Sequence, residues 1–454
     1  MCRKTAATFG ERGGHMDTTT EFLVAMFLLV AAAILVGELV SRFGIPALVG
    51  QILVGVVLGP SLLGNALGLT NISTELMGIQ FLATFFILMM AGLAVTPAQI
   101  RATGPAAAAL GIAIFVVPFV GGAGIVRLLY PSYPVDTTLF ISLTISITAL
   151  PVLGIMLREF GLADTRFGAF LMNASVVNEL AAVTTFAVLL RLESGTGNLG
   201  YDIATALATV GLFLTTILAI HMGLQSLRQL HVWDRWVDRF RLTWRSREAG
   251  FGLLMMAGLG AALYSQFLGL TFIVGAFYAG LLVTPESAGR AGHRTISLVF
   301  NAITWGFFIP LFFALVGFGM DFTTLSLADY SILAFASLAL FAFFSKVFVG
   351  TAFARLLGWS PDESLCAGML VSSRGAVELA MAVILYQQGF FTKEIYTVVA
   401  GVGLLTTLFA PIGAKPFVRS ITAARRASAE RATAISQSLP PRHILSDGEI
   451  NVQR

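Results

Sequence analysis

The sequence predicts an all-α polytopic membrane protein of about thirteen transmembrane helices, built as inverted repeats with one discontinuous helix in each half. Three observations carry this expectation. Hydrophobic residues make up 57% of the 454 positions and charged residues 11%, against about 25% charged in an ordinary soluble domain. So few charges cannot cover a water-facing surface, and lipid must solvate most of it. Apolar runs of roughly 20 residues, the length that crosses a bilayer as helix, recur along the chain. Two of these runs, at matching places in the two halves, are broken by residues that interrupt a helix.

Taken in order, the runs cover residues 22–39, 45–63, 76–95, 106–129, 137–157, 168–190 and 203–224. They continue through 250–268, 270–283, 296–320, 331–357, 364–387 and 395–417. An odd number of spans puts the termini on opposite sides. With the first connection placed in the cytoplasm, that side holds Arg42, Arg101, Arg158, Arg166, Arg228, Arg235, Arg239, Arg241, Arg245, Arg247, Arg290, Arg294 and Arg355, while the other holds Arg127, Arg191 and Lys393. This is the asymmetry of the positive-inside rule, and it predicts a multi-pass cell-membrane protein with its N-terminus outside and its C-terminus inside.

The remaining segments are read by composition. Residues 1–21 form an N-terminal extension whose first fifteen are polar and precede Met16, the expected true start. Residues 22–419 form the transmembrane domain, and 420–454 a tail expected to be unstructured from about Ile421. Within the domain, Trp233, Trp236, Phe240 and Trp244 recur at helical spacing among arginines in residues 227–247. That pattern reads as an amphipathic helix in the cytoplasmic interface, with a regulatory binding helix as the alternative. The net charge of +4 comes from basic residues that sit in the connections between spans and report topology, so no nucleic-acid partner is expected. Two cysteines and five scattered histidines give no disulfide framework, metal cluster or catalytic base, and no cofactor or enzyme activity is expected.

The repeat is marked by two helix ends, FFILMMAGLAVTPAQI and IPLFFALVGFGMDFTTL, with Gly92 and Gly317 at corresponding places. From Gly92 to Pro151 is 59 positions, and from Gly317 to Gly375 is 58. The first interruption is ISITALPVLG, around Pro151; the second is MLVSSRGAVEL, with Ser372, Ser373 and Gly375. Interrupted segments at matching positions of two halves point to a transporter's binding site. The two marked helices cross in opposite directions, which makes the repeat inverted.

Ionisable residues at membrane depth cost several kcal/mol each, so the few present carry the chemistry. They are Glu179, Lys346, Arg374 and Glu378. Glu179 follows Asn178 among small and apolar neighbours, so its carboxyl must face a cavity or a partner. Such a group binds a proton or a metal cation, not both at once, and that competition suffices for exchange. A purely structural Glu–Lys pair is the alternative. Asn178 offers an amide oxygen, and Thr148 a hydroxyl beside freed carbonyls, the oxygen donors that hard cations prefer. Lys346 needs an anionic partner, for which Glu179 is a candidate, or it snorkels to an interface. Arg374 and Glu378, four apart, share a helix face; Arg374 would also neutralise exposed carbonyl ends, and Glu378 is its partner or a second titrating group. Glu38 and Asp321 read as interfacial.

Five stretches taken together resemble the sodium/hydrogen exchanger family of the monovalent cation:proton antiporter superfamily. VGQILVGVVLGPSLLG is similar to its second helix and FILMMAGLAV to its third. ITALPVLGIMLREFGL is similar to its first broken helix, SSRGAVELAMAVIL to its second, and SKVFVG to its lysine-bearing helix. The resemblance runs from the first span to the thirteenth. It implies two crossed broken helices in a core domain, a dimerisation domain, a membrane-embedded homodimer and alternating access. It also implies exchange of sodium or potassium for protons. The chain departs from the family's Asp-Asp or Asn-Asp pattern with Asn178-Glu179, one methylene longer. One carboxylate favours electroneutral exchange, whereas Lys346 is the residue that accompanies electrogenic members. A channel or uniporter, an organic-solute transporter and a non-transporting sensor are the other classes compatible with the pattern.

Overall fold

The computed structural model describes residues 18–64, 74–95, 103–193, 195, 198–229, 249–283, 290–325 and 331–438. Most of the amphipathic stretch at 227–247 lies outside the described residues, as does most of the N-terminal extension. Among the described residues ten helices are long and apolar enough to cross a membrane, each broken helix counted once, and three shorter apolar helices join them. The segments number thirteen, as the sequence predicts.

The first half comprises α1 (Thr18–Ser41), α2 (Ala47–Leu58), α3 (Thr74–Ala94), α4 (Pro105–Leu129), the half-helices α5 (Val135–Ser146) and α6 (Leu150–Glu159), and α7 (Arg166–Glu193). The linking helix α8 (Leu199–Gln229) leads to the second half. There, α9 (Ala249–Phe267) and α10 (Phe272–Leu282) precede α11 (Arg290–Ile303), which passes through a π-helical turn (Thr304–Phe308) into α12 (Ile309–Gly319). The chain ends with α13 (Ser331–Leu356), the half-helices α14 (Pro361–Val371) and α15 (Ala376–Gln387), and α16 (Lys393–Ser438). Helix α16 continues past Ile421, where the sequence reading began an unstructured tail. The reason lies in ITAARRASAERATA, whose alanines, arginines and glutamate are strong helix formers and carry the last membrane helix onward.

Two layers emerge from the packing. A scaffold joins α1, α2 and α12 with α3, α9 and α10; a core joins α4, α5 and α7 with α13, α14 and α16. The inverted repeat is written into the scaffold at atomic contact. A Cβ at Gly92 of α3 would overlap the Phe277 carbonyl of α10, and one at Gly280 of α10 would overlap the Met89 carbonyl of α3. The same exchange recurs between α2 and α12, where Gly317 meets the Ile52 carbonyl and Gly55 the Ala314 carbonyl. Gly55 and Gly280, like Gly92 and Gly317, lie 225 positions apart in the sequence. So do Gly44 and Gly269, which turn the chain before α2 and α10 with φ of 69° and 75°. Only glycine lets backbones approach this closely in a membrane protein.

Large apolar side chains such as Phe27, Leu35, Phe267 and Phe348 point outward, the surface a bilayer would cover. The broken helices α5–α6 and α14–α15 are instead enclosed by the other helices, so their loose backbone sits where irregular structure is tolerated, inside protein.

Candidate functional site

The site forms where the two broken helices cross. Its origin is local. Pro151 has no N–H, and its ring excludes a helical carbonyl four residues earlier, so α5 ends at Ser146 and Ile147–Ala149 run extended. Pro151 itself falls in the first turn of α6, where proline is favoured; the interruption lies just ahead of it. The second interruption places Ser372, Ser373 and Arg374 between α14 and α15, with Gly375 as the cap of α15. The two breaks are bonded to each other. Ala149 N donates to Ser373 O at 3.3 Å, and Thr148 Oγ1 donates to Val371 O at 2.9 Å. A side chain at Gly375 would press on Ala149 and Val152.

Freed carbonyls at this crossing are met by two buried cations. Lys346 of α13 donates from Nζ to Ile147 O, the carbonyl that Pro151 cannot engage, and to Thr148 Oγ1 at 2.8 Å. Arg374 donates from Nη1 to Thr144 O at 2.8 Å and from Nη2 to Ile145 O. Both cations therefore cap the carboxyl end of α5, the negative end of its dipole. The carbonyl ends that Arg374 meets belong to the opposite broken helix, not to its own. Arg374 also pairs with Glu378 at 3.1 Å, which compensates a charge that burial alone would make costly. Thr407 of α16 donates to Arg374 O at 2.9 Å and fixes the second break from behind.

The acid sits beside this frame on α7. Asn178 accepts at Oδ1 from Thr148 N at 2.7 Å and donates from Nδ2 to Ser146 O at 3.1 Å. It therefore splices the break in α5–α6 to α7. Glu179, the next residue, is fully buried, and neither carboxylate oxygen has a hydrogen-bond partner. Lys346, the candidate partner from sequence, is committed to Ile147 and Thr148 instead. Ser175 lies four residues before Glu179, on the same helix face, and its buried hydroxyl is likewise unpartnered. The buried side-chain oxygens left uncommitted on α7 are thus those of Glu179 and Ser175, while those of Thr148 and Asn178 hold the crossing together. Sequence reasoning passed over Ser175; the available signal was a serine one turn before a buried acid. Among the described residues no group of three His, Cys, Asp or Glu could hold a metal ion. One carboxylate with neutral oxygens is a donor set for a hard cation held loosely enough to leave.

A cavity of about 300 Å³ opens between scaffold and core on the face where α1 ends and α2 begins. Glu38, Gln51, Val152, Glu159, Trp305 and Pro310 are on its wall, with Trp305 in the π-helical turn. Glu179 lies off this wall. The opposite face is closed by bonds between the same two layers. Gln387 of α15 donates to Gln80 of α3 at 3.2 Å, and Tyr396 of α16 donates to Val316 O of α12 at 3.0 Å. Asp321 N donates to Thr397 Oγ1 at 2.9 Å, and the Asp321 carboxylate pairs with Lys393 at 3.0 Å.

Comparison with known proteins places this geometry. A family model described as the transmembrane sodium/hydrogen exchanger matches residues 27–420. The chain is similar to the Na(+)/H(+)-K(+) antiporter GerN of Bacillus cereus, at 25% identity over 86% of this chain and 95% of the relative. It is also similar to a Na(+)/H(+) antiporter of Enterococcus hirae, at 26% identity over 89% of this chain and 100% of the relative. Among solved structures, the sodium proton antiporter MjNhaP1 of Methanocaldococcus jannaschii shares the fold with a TM-score of 0.67, over 88% of this chain and 99% of that one, at 13% identity.

Proposed function

The chain belongs to the sodium/hydrogen exchanger family, and we propose that it exchanges a monovalent cation, sodium or potassium, for protons by alternating access. Glu179 is the shared site. Its fully buried carboxylate, with no hydrogen-bond partner on either oxygen, is the observation that carries the reading. A buried carboxylate with no partner is costly as an anion, so it holds either a proton or a cation. Ser175 completes the cation's shell with a hydroxyl. Thr148 and Asn178 keep the two breaks and α7 in register, and Lys346 and Arg374, the latter paired with Glu378, hold the dipole end of α5 at the site. Pro151, Ser372, Ser373 and Gly375 supply the breaks that make the crossing possible.

One carboxylate serving one cation or one proton makes the exchange electroneutral in this reading. The protein works in the cell membrane as a homodimer, with the N-terminus outside and the 300 Å³ cavity open to the cytoplasm. The arginine asymmetry supports the orientation, and the family resemblance supports the dimer.

The test is purified protein in liposomes that enclose a pH-sensitive dye, challenged with sodium, potassium or lithium. A cation-dependent dye response in the wild type that Glu179→Gln abolishes is expected. A current with its own reversal potential and no proton counterflow would identify a channel, and no cation-dependent response at all would remove the exchange reading.

A further inference from the structure

The scaffold repeat places four wall residues of the present cavity in register with buried residues of the other half. A shift of 225, the spacing that relates the paired glycines, carries Pro46 forward to Thr271 and Gln51 to Ala276, and carries Trp305 back to Gln80 and Ile309 to Thr84. Members of the first set line the cavity. Those of the second are buried in the closed face, where Gln80 is tied to Gln387. The half-helices show the same asymmetry, because α15 packs on α3 whereas the cavity separates its counterpart α6 from the π-helical turn and α12. One chain thus holds both arrangements of a single repeat unit, one open and one shut.

From this we propose that the ion pathway on the opposite face is lined by Gln80, Thr84, Thr271 and Ala276, and opens when α15 leaves α3 as α6 closes on α12. The inference rests on the alternating-access reading and adds the residues of the second vestibule. The two vestibules differ in chemistry. The present one carries the carboxylates Glu38 and Glu159 and the unpartnered Gln51 oxygen. Its counterpart offers one amide and two hydroxyls, with Leu263 standing where Glu38 stands in the other half. Along these lining residues a monovalent cation meets carboxylates on one face and neutral oxygen dipoles on the other. The rings of Phe81 and Phe272 also meet between α3 and α10, with centroids 4.3 Å apart, and their repeat mates on the open side are Gly306 and Ala47.

The test uses single cysteines at Thr84, Ala276, Ile309 and Gln51 in a background lacking Cys2 and Cys366. Each variant is first shown to exchange cation for protons, then probed in oriented vesicles with a membrane-impermeant maleimide. Ile309→Cys and Gln51→Cys are expected to react only from the cavity face, and Thr84→Cys and Ala276→Cys only from the other. A bifunctional thiol reagent joining Gln80→Cys to Gln387→Cys is expected to abolish exchange and the opposite-face reactivity while sparing Gln51→Cys. In the wild type, hydrogen exchange of α3 and α10 is expected to rise when that of α2 and α12 falls on adding sodium, which needs no substitution. Inert Thr84→Cys and Ala276→Cys from both faces, in protein that exchanges normally, would overturn the assignment and leave the exchange reading intact. Loss of exchange in the wild type itself would remove both.

Discussion

Lys346 binds Thr148, at 2.8 Å from its hydroxyl, and not Glu179, whose two oxygens are left without partners. The division separates the parts that build the crossing from the carboxylate proposed to bind. It also sets distinct expectations for each residue.

Removal of Lys346 strips a cation from the end of α5. Lys346→Ala is expected to lower folding stability by about 2–3 kcal/mol, the worth of a buried charge-assisted hydrogen bond and the carbonyl left unpaired. Lys346→Gln, which can still donate, is expected to recover much of that. Thermal unfolding of the detergent-purified variants reads the difference; equal losses for both would mean that charge, not hydrogen bonding, is what α5 needs.

Asn178 bridges Thr148 N and Ser146 O. Asn178→Ala leaves both unpaired in a buried site and is expected to cost roughly 2–4 kcal/mol. Asn178→Asp keeps the acceptor but loses the donor and is expected to fall between. A stability equal to the wild type in Asn178→Ala would show that the splice between the break and α7 is dispensable.

Ser175→Ala has the opposite signature. Its hydroxyl has no protein partner to lose, so folding is expected to be unchanged or slightly improved. The apparent cation affinity, read from the concentration dependence of exchange, is expected to fall about fivefold, equivalent to roughly 1 kcal/mol. An unchanged affinity would remove Ser175 from the cation's shell.

The repeat glycines can be tested in pairs. Gly92→Ala and Gly317→Ala each drive a methyl group into a facing carbonyl and are expected to destabilise by about 1–3 kcal/mol or more. Gly78→Ala, where the new atom meets nothing within 4 Å, is expected to be neutral or to gain up to about 1 kcal/mol in its helix. Thermal unfolding of the three side by side checks whether the scaffold crossings are as close as the structure has them.

Much of this was legible in the sequence because the bilayer is a severe solvent. Long apolar runs declare the spans, and Glu179 and Lys346 stand out because ionisable groups at membrane depth are costly; the structure buries both beside the crossing. Gly92 and Gly317 declared the repeat, although the further pairs at the same spacing became evident only when their facing carbonyls were seen. What the sequence withheld was partnership. Lys346 is within reach of several groups once α13 crosses α5, and only the three-dimensional crossing gives it to Ile147 and Thr148. Ser175 is an ordinary residue until it is found buried and unbonded beside the acid. The π-helical turn at Thr304–Phe308 leaves no mark in a run of apolar residues.

The competition proposed at Glu179 is tested most directly by proton release on cation binding. Purified protein in weakly buffered solution, titrated with sodium or potassium near the pH at which the carboxyl is half protonated, is expected to release protons as the cation binds. The apparent cation affinity should weaken about tenfold for each unit of pH below that point, and Glu179→Gln should neither bind nor release. Cation binding without proton release, or release that persists in Glu179→Gln, would contradict a carboxylate shared between the two ions.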